Sequence, residues 1–202
     1  QRLDLTPPLL PTNAPLMLID DCLSWPAAPS AGGTPEGFAA LLREFLDAPV
    51  QIQPLADWRA AQDAWKPLLK MAETPARAGP TPARLFLAIG GQDAAAGIAP
   101  DAFERQAAAL TDLLLGVGHA VAWVTPPPFP EWADRARLYA VAIRRVAESR
   151  RLPVADLYSA FAGSDAEAAT LFDAQARGFL SPHGRRLAAE RLAAAMANGR
   201  PA

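Results

Sequence analysis

Short apolar runs recur along this chain, and the segments between them repeat apolar residues every three or four positions. Runs of this kind are typical of strands buried in a parallel sheet, whereas the longer spacing indicates amphipathic helices. The predicted strands span residues 16–19, 50–52, 85–89, 120–124 and 154–157. Because strands and helices alternate, the pattern predicts an α/β fold with helices on both faces of a parallel sheet.

The length of 202 residues fits a single folded domain. Residues 1–15 are rich in proline and have no periodic apolar pattern, so we expect an extended N-terminal segment followed by one domain over residues 16–198. The first residue is Gln1 rather than methionine, as in a processed chain. Removal of a signal peptide would place the protein in the periplasm or outside the cell, and excision from a longer protein is the alternative.

Composition and charge exclude several classes of function. The formal net charge is -2, which argues against a nucleic-acid partner. No apolar stretch approaches the ~20 residues that span a bilayer, so no membrane span is expected. The single cysteine excludes an intrachain disulfide and a zinc site built on several cysteines. Motifs typical of nucleotide or metal sites are absent from the sequence, so we expect neither a cofactor nor a metal.

Polar residues cluster where the first and third predicted strands end. Asp20, Asp21 and Cys22 follow the first strand, and residues 90–93, Gly-Gly-Gln-Asp, follow the third as a predicted tight loop. Ligands of open α/β sheets bind beyond the carboxyl ends of the strands, so this edge is the predicted site. Asp93 and Asp156 are expected to make loop and strand-end hydrogen bonds rather than to act in catalysis.

Three tryptophans are expected at the same edge, because Trp25, Trp58 and Trp132 follow the first, second and fourth strands. Sugar rings stack well on exposed aromatic faces, and aromatic side chains contribute much of the energy of a binding surface. These residues are therefore candidates for binding a carbohydrate. The alternative is that they close their loops over the core.

Five segments stand in a defined order along the chain. They span residues 19–25, 89–93, 124–128, 139–161 and 179–184. Together they resemble the SGNH (GDSL-type) hydrolases, a family of esterases, lipases and carbohydrate acetylesterases. Its first block reads Gly-Asp-Ser-Leu after a strand, its third Gly-x-Asn-Asp and its last Asp-x-x-His-Leu-Ser-Pro-x-Gly. The resemblance implies a flavodoxin-like three-layer α/β/α sandwich with a five-stranded parallel sheet in the order 2-1-3-4-5.

The residues that carry the family's chemistry are replaced here. The family uses a serine nucleophile, a histidine base oriented by an aspartate, and an oxyanion hole completed by a glycine amide and an asparagine side chain. The resemblance places Cys22 at the serine position, Ala56 at the glycine, Gln92 at the asparagine, Phe179 at the histidine and Ala176 at the aspartate. Asp21 matches a family position whose role is mainly structural.

These replacements leave two functional hypotheses. Phenylalanine cannot act as a base, and the Gln92 amide lies one methylene farther from the backbone than that of asparagine. The first hypothesis is therefore a pseudoenzyme that binds a carbohydrate or acylated ligand, or a protein partner in an assembly. The alternative is an active esterase or acetylesterase with Cys22 as nucleophile. His183, four residues beyond the expected histidine, would be its displaced base, and Asp173 would orient it.

Overall fold

The structure is a computed structural model that describes residues 16–21, 23, 35–46, 48–55, 84–163, 169–173 and 179–198. The statements that follow concern those residues. The predicted N-terminal segment, residues 1–15, lies outside them. Within the described parts, no helix is both long enough and apolar enough to cross a membrane.

The strands form one parallel sheet. In chain order they are β1 (Leu16–Asp20), β2 (Val50–Pro54), β3 (Arg84–Ala88), β4 (Ala120–Val124) and β5 (Val154–Ala155). Their spatial order is β2-β1-β3-β4-β5, and every neighbouring pair is parallel. The predicted strand order is thus confirmed. The last strand is shorter than predicted, because Asp156 caps the helix that follows and its side chain accepts a hydrogen bond from the Ser159 N–H.

Helices cover both faces of the sheet. In chain order they are α1 (Pro35–Phe45), α2 (Gly91–Ala96), α3 (Pro100–Gly116), α4 (Ala133–Ser149), α5 (Leu157–Phe161) and α6 (Pro182–Asn198). Buried residues of α1, α5 and α6 pack on one face, and those of α2, α3 and α4 pack on the other. The predicted three-layer α/β/α sandwich is therefore confirmed.

Alternation along the strands distributes apolar side chains between the two layers. Leu18 and Phe86 pack in the core with α1 and α6, whereas Leu87 packs in the core with α3 and α4. The fully buried Trp123 belongs to the second core, where its indole N–H donates to Thr111 Oγ1 at 3.1 Å. A buried indole N–H needs such a partner.

The ends of the three strands on the β2 side of the sheet lie level with one another. In the register of the sheet, Asp20 at the end of β1 is paired with Pro54 of β2 and with Ala88 of β3. The pairing continues one step beyond the strands, since the Asp21 N–H donates to the Ala88 carbonyl at 3.0 Å and the Leu55 N–H to the Asp20 carbonyl at 2.8 Å. The loops after β1, β2 and β3 therefore start side by side.

The Leu-Ser-Pro-x-Gly sequence stabilises the start of α6. The Gly184 N–H donates to Ser181 Oγ at 3.0 Å, and this hydroxyl donates to the Thr170 carbonyl at 2.7 Å. A side-chain oxygen that accepts a bond from the first turn is the usual helix N-cap. A Cβ atom at Gly184 would collide with the Leu171 carbonyl oxygen, so the close approach requires glycine. Serine and glycine in this block are thus explained without catalysis.

Candidate functional site

The turn after β1 is closed by an aspartate side chain. Asp20 is fully buried, and its Oδ1 accepts a hydrogen bond from the Leu23 N–H at 2.7 Å. Aspartate favours such turns because its short side chain reaches backbone N–H groups a few residues ahead. The bond spans the position of Cys22, which itself lies outside the described residues.

Asp21 joins this turn to the turn after β3. Its buried carboxyl group accepts three backbone hydrogen bonds: Gly90 and Gln92 donate to Oδ2 at 2.7 and 3.2 Å, and Gly91 donates to Oδ1 at 3.3 Å. Backbone N–H groups at the start of a helix have no partner within the helix, and a carboxylate satisfies them well. Asp21 therefore fixes the relative position of the two turns.

The prediction of a simple loop at residues 90–93 is wrong, because a short helix begins within it. Gly90 is the N-cap of α2 and has φ 110°. A Cβ atom there would lie 2.9 Å from Phe103 Cζ and 3.3 Å from Tyr139 Cδ1. Left-handed backbone and this tight packing both require glycine. The sequence alone did not identify Phe103 and Tyr139 as supports of this turn, because they lie on later helices.

The side-chain amide of Gln92 donates hydrogen bonds to backbone carbonyls. Its Nε2 donates to the Asp21 carbonyl at 2.9 Å, with a longer contact to the Leu55 carbonyl at 3.5 Å. The side chain is buried at 7 % exposure, so its amide hydrogens need partners within the protein. An amide NH₂ group has two hydrogens: the Asp21 carbonyl is the close partner of one, and the Leu55 carbonyl is a weaker partner of the other. Gln92 thus links the loops after β1, β2 and β3.

Three buried carboxyl groups, those of Asp20, Asp21 and Asp93, surround this link. Burial, followed by the charges of Asp20 and Asp93, raises the pKa of Asp21 to about 7, and the N–H groups of Gly90 and Gln92 oppose the shift. Burial likewise raises the pKa of Asp93 to about 6. Among the described residues, no group of three or more histidine, cysteine or acidic side chains is arranged to hold a metal ion.

Tyr139 and Arg135 of α4 lie beneath the same turn. The Tyr139 hydroxyl donates to the Ile98 carbonyl at 2.6 Å, and Arg135 donates to the carbonyl of Ala94 at 3.2 Å. Burial, followed by the negative charge of Asp93, raises the pKa of Tyr139, and Arg135 opposes the rise. The tyrosine is therefore a neutral hydrogen-bond donor that holds the segment after α2.

The described part of the last block includes Phe179, the residue that the resemblance aligns with the family's histidine. Phe179 is half-buried, and its carbonyl accepts from the Asp173 N–H at 2.9 Å. The adjacent residues Phe172 and Leu180 form an isolated antiparallel bridge. His183 lies on the first turn of α6 with an exposed side chain. Ala176 lies outside the described residues.

Trp132 stands at the predicted edge, between β4 and α4. It is the N-cap residue of α4, is half-buried and contacts both apolar cores. Its ring centroid lies 4.9 Å from that of Phe129, which in turn lies 5.2 Å from that of Phe172. Part of the indole thus packs in the core while part reaches solvent. Trp25, Trp58 and Ala56 lie outside the described residues.

Asp156 makes strand-end hydrogen bonds. Its carboxylate accepts from Thr125 Oγ1 at 3.0 Å and from Arg144 Nη2 at 2.7 Å, in addition to the Ser159 N–H. Burial acts to raise the pKa of Asp156, but the hydrogen bonds from Arg144, Ser159 and Thr125 outweigh it and the pKa is lowered. The Asp156 carboxylate joins the end of β4 to α4 and α5 at the β5 edge of the sheet, whereas Asp21 follows β1.

No protein-family model matches the sequence, and neither does any curated protein. Solved structures do match. The lipase/acylhydrolase from Enterococcus faecalis superposes with a TM-score of 0.67 at 18% identity, over 94% of this chain and 100% of that one. A G-D-S-L family lipolytic protein from Desulfitobacterium hafniense gives a TM-score of 0.68 at 16% identity, over 91% and 99%. This chain has the SGNH hydrolase fold.

A third match to the SGNH fold is the acetyl xylan esterase AlAXEase, with a TM-score of 0.63 and 18% identity over 90% of this chain and 98% of that one. The chain therefore spans nearly the whole length of these three solved structures. Identities this low establish the architecture.

Proposed function

We propose that this SGNH-fold domain is catalytically degenerate and binds a carbohydrate or acylated ligand at the carboxyl edge of its sheet, or acts there as a partner in a protein assembly. The observation that carries the proposal is the position of the Gln92 amide. The resemblance aligns Gln92 with the family's oxyanion donor, but its amide donates to the carbonyls of Asp21 and Leu55.

Oxyanion stabilisation requires a donor placed about 3 Å from the developing charge before the reaction begins. To reach a substrate, the Gln92 amide would first have to break its 2.9 Å bond to the Asp21 carbonyl and leave that oxygen without its donor. Loss of a buried partner costs about 1–3 kcal/mol. The Gln92 amide therefore stabilises the fold through its bonds to backbone carbonyls and is not available to stabilise a transition state.

The base position supports the same interpretation. Phe179 offers a hydrocarbon ring where acyl transfer needs an imidazole. The Asp173–Phe179 backbone bond and the Phe172–Leu180 bridge hold this block in place without that imidazole. A nucleophile at position 22 would have no base from the family's usual position.

The ligand class follows from the aromatic residues and from the fold. Trp132 is half-buried between β4 and α4, and Trp25 and Trp58 follow β1 and β2 in the sequence. A rigid indole offers a large apolar face for a sugar ring or an acyl group. One matching structure is an acetyl xylan esterase, which supports a carbohydrate or an acetylated sugar as the ligand.

One observation favours the alternative, an active esterase or acetylesterase. His183 has an exposed side chain on the first turn of α6, four residues beyond Phe179. It would serve as the displaced base for Cys22, with Asp173 orienting it. Such an enzyme would be a carboxylic ester hydrolase of the same fold.

Hydrolysis of p-nitrophenyl acetate separates the two proposals. The degenerate domain is expected to release nitrophenol at the background rate, because Phe179 cannot take up a proton and the Gln92 amide is committed. Cys22→Ala and His183→Ala should leave that rate unchanged. His119 directly precedes β4 and so lies at the opposite, amino edge of the sheet, and His119→Ala serves as the control for loss of a histidine. Turnover that disappears in the first two variants and persists in the control would instead establish the esterase.

Retention on insoluble polysaccharides tests the binding proposal. The probes are xylan, acetylated xylan and cellulose, and Trp132→Ala is expected to lower retention about fivefold or more, since an aromatic contact contributes about 1 kcal/mol. Leu138→Ala removes an exposed apolar residue from the same helix and is the control. Trp132→Phe should retain part of the binding. Equal retention of the wild type and Trp132→Ala would remove the case for stacking on this residue.

A further inference from the structure

The segments after β1 and β3 are joined by a reciprocal set of hydrogen bonds, here called the Asp21–Gln92 clamp. Its members are Asp21, Gly90, Gly91 and Gln92. Three backbone N–H groups donate to the Asp21 carboxyl group, and the Gln92 side chain donates back to the Asp21 carbonyl. The clamp holds the residue immediately before Cys22 against the start of α2.

The Asp21 carboxyl group, which accepts the three backbone bonds of the clamp, is titratable, and most of its ionisable neighbours are acidic. Asp20 belongs to the same turn and Asp93 to α2, while Tyr139 and Arg135 approach from α4. Arg135 donates to backbone carbonyls of α2, so part of its hydrogen-bonding capacity is engaged there. The ionisable residues Cys22, Asp57 and Arg59 lie outside the described residues.

Protonation would change the clamp unevenly. An ionised carboxylate accepts at both oxygens, and such charge-assisted bonds are about twice as strong as neutral ones. A protonated carboxyl group has one oxygen that must donate. Asp21 Oδ1 accepts only the 3.3 Å bond from Gly91, whereas Oδ2 accepts the bonds from Gly90 and Gln92 at 2.7 and 3.2 Å. A proton on Oδ1 therefore weakens the Gly91 bond most, because the hydroxyl oxygen is a poorer acceptor, and also weakens the other two bonds.

We propose that the Asp21–Gln92 clamp is proton-controlled: the three backbone bonds close fully when the Asp21 carboxyl is ionised and loosen, at Gly91 first, when it holds a proton. Burial raises the pKa of Asp21 to about 7, which places the transition near neutral pH. Through this clamp, pH sets how firmly the turn that carries position 22 is held. If the proposed function holds, the retention of a ligand at this edge has the same pH dependence as the clamp; this expectation rests on that proposal.

Nuclear magnetic resonance of the full chain tests the clamp without a ligand. The amide signals of Gly90, Gly91 and Gln92 and the side-chain carboxyl carbon of Asp21 are followed between about pH 5 and pH 8.5. All four are expected to shift together with a midpoint at about 7. The Gly91 amide should also exchange with solvent faster, after correction for intrinsic rates, on the acidic side.

Variants decide whether Asp21 is the group responsible. Asp21→Asn should abolish the transition at about 7 and leave only the titration of Asp93 at about 6. Asp93→Asn should move the Asp21 midpoint to lower pH because one repelling charge is removed. Asp101→Asn, an exposed carboxyl group on the first turn of α3, is the control and should leave it unchanged. Amide signals that stay flat in the wild type, or a transition at about 7 that survives Asp21→Asn, would overturn the proposal whatever the binding assays give.

Discussion

Lowering the pH from about 8 to about 5 is expected to make this protein more stable. The pKa of Asp21 is about 7 in the folded chain, against an ordinary value of 3.8. Between these values the folded protein binds the proton and the unfolded chain releases it, so the free energy of unfolding falls as pH rises through this window. The change from about pH 8 to about pH 5 covers about two pH units of this window, so at about 1.4 kcal/mol per unit Asp21 alone gives at most about 3 kcal/mol.

Asp93 and Asp156 also contribute to the pH dependence of stability, in opposite directions. Asp93, with a pKa of about 6, contributes in the same direction as Asp21. The pKa of Asp156 is lowered by its hydrogen bonds, so its stabilising contribution is present above its unfolded value and is lost as pH falls through its folded value. Maximum stability is therefore expected in mild acid, between the loss of the Asp156 contribution and the ionisation of Asp21.

Urea unfolding at several pH values between about 5 and about 8 measures this dependence. Asp21→Asn should flatten most of it, because the amide oxygen can still accept from Gly90 and Gln92 while the titrating charge is gone. Asp101→Asn changes an exposed carboxyl group and should leave the pH dependence unaltered. A wild-type protein that gains stability from mildly acidic to mildly alkaline pH would contradict the assignment of a raised pKa to Asp21.

Restoring the family's residues is expected to create an esterase. The variant combines Cys22→Ser, Gln92→Asn, Ala176→Asp and Phe179→His. It supplies a nucleophile, an oriented base and a shorter amide that no longer reaches across to the Leu55 carbonyl. Removing one oxyanion donor costs other hydrolases about 10²–10³ in kcat, so we expect the complete set to exceed the unchanged chain by at least about 100-fold on p-nitrophenyl acetate.

Two partial variants show which residue matters. The same combination without Gln92→Asn should lose kcat more than it raises KM, because an oxyanion donor acts mainly in the transition state. The combination with Phe179→Ala in place of Phe179→His should be inactive. Thermal melting must show that each variant folds, since Gln92→Asn gives up hydrogen bonds to Asp21 and Leu55. A folded but inactive four-residue variant would refute the positional assignments.

Local patterns in the sequence were sufficient for the architecture. Apolar runs of four or five residues predicted the three inner strands β1, β3 and β4, because a strand buried on both faces must be apolar along its length. The two edge strands, β2 and β5, were predicted from shorter patterns that include Gln51 and Asp156. The family resemblance added the strand order 2-1-3-4-5, which the sheet confirms. The strand ends then follow, since parallel strands of similar length bring Asp20, Pro54 and Ala88 to one level.

Only the tertiary structure decided how the polar residues at that edge are used. The family resemblance identified Gln92 as a replaced oxyanion donor, but the sequence did not reveal its hydrogen-bond partners. These are the carbonyls of residues 71 and 37 positions away along the chain. The requirement for glycine at position 90 depends on Phe103 and Tyr139, and the pKa of Asp21 depends on burial beside Asp20 and Asp93. Periodicity reports which side chains are apolar, whereas hydrogen-bond partners and burial arise only when distant strand ends meet.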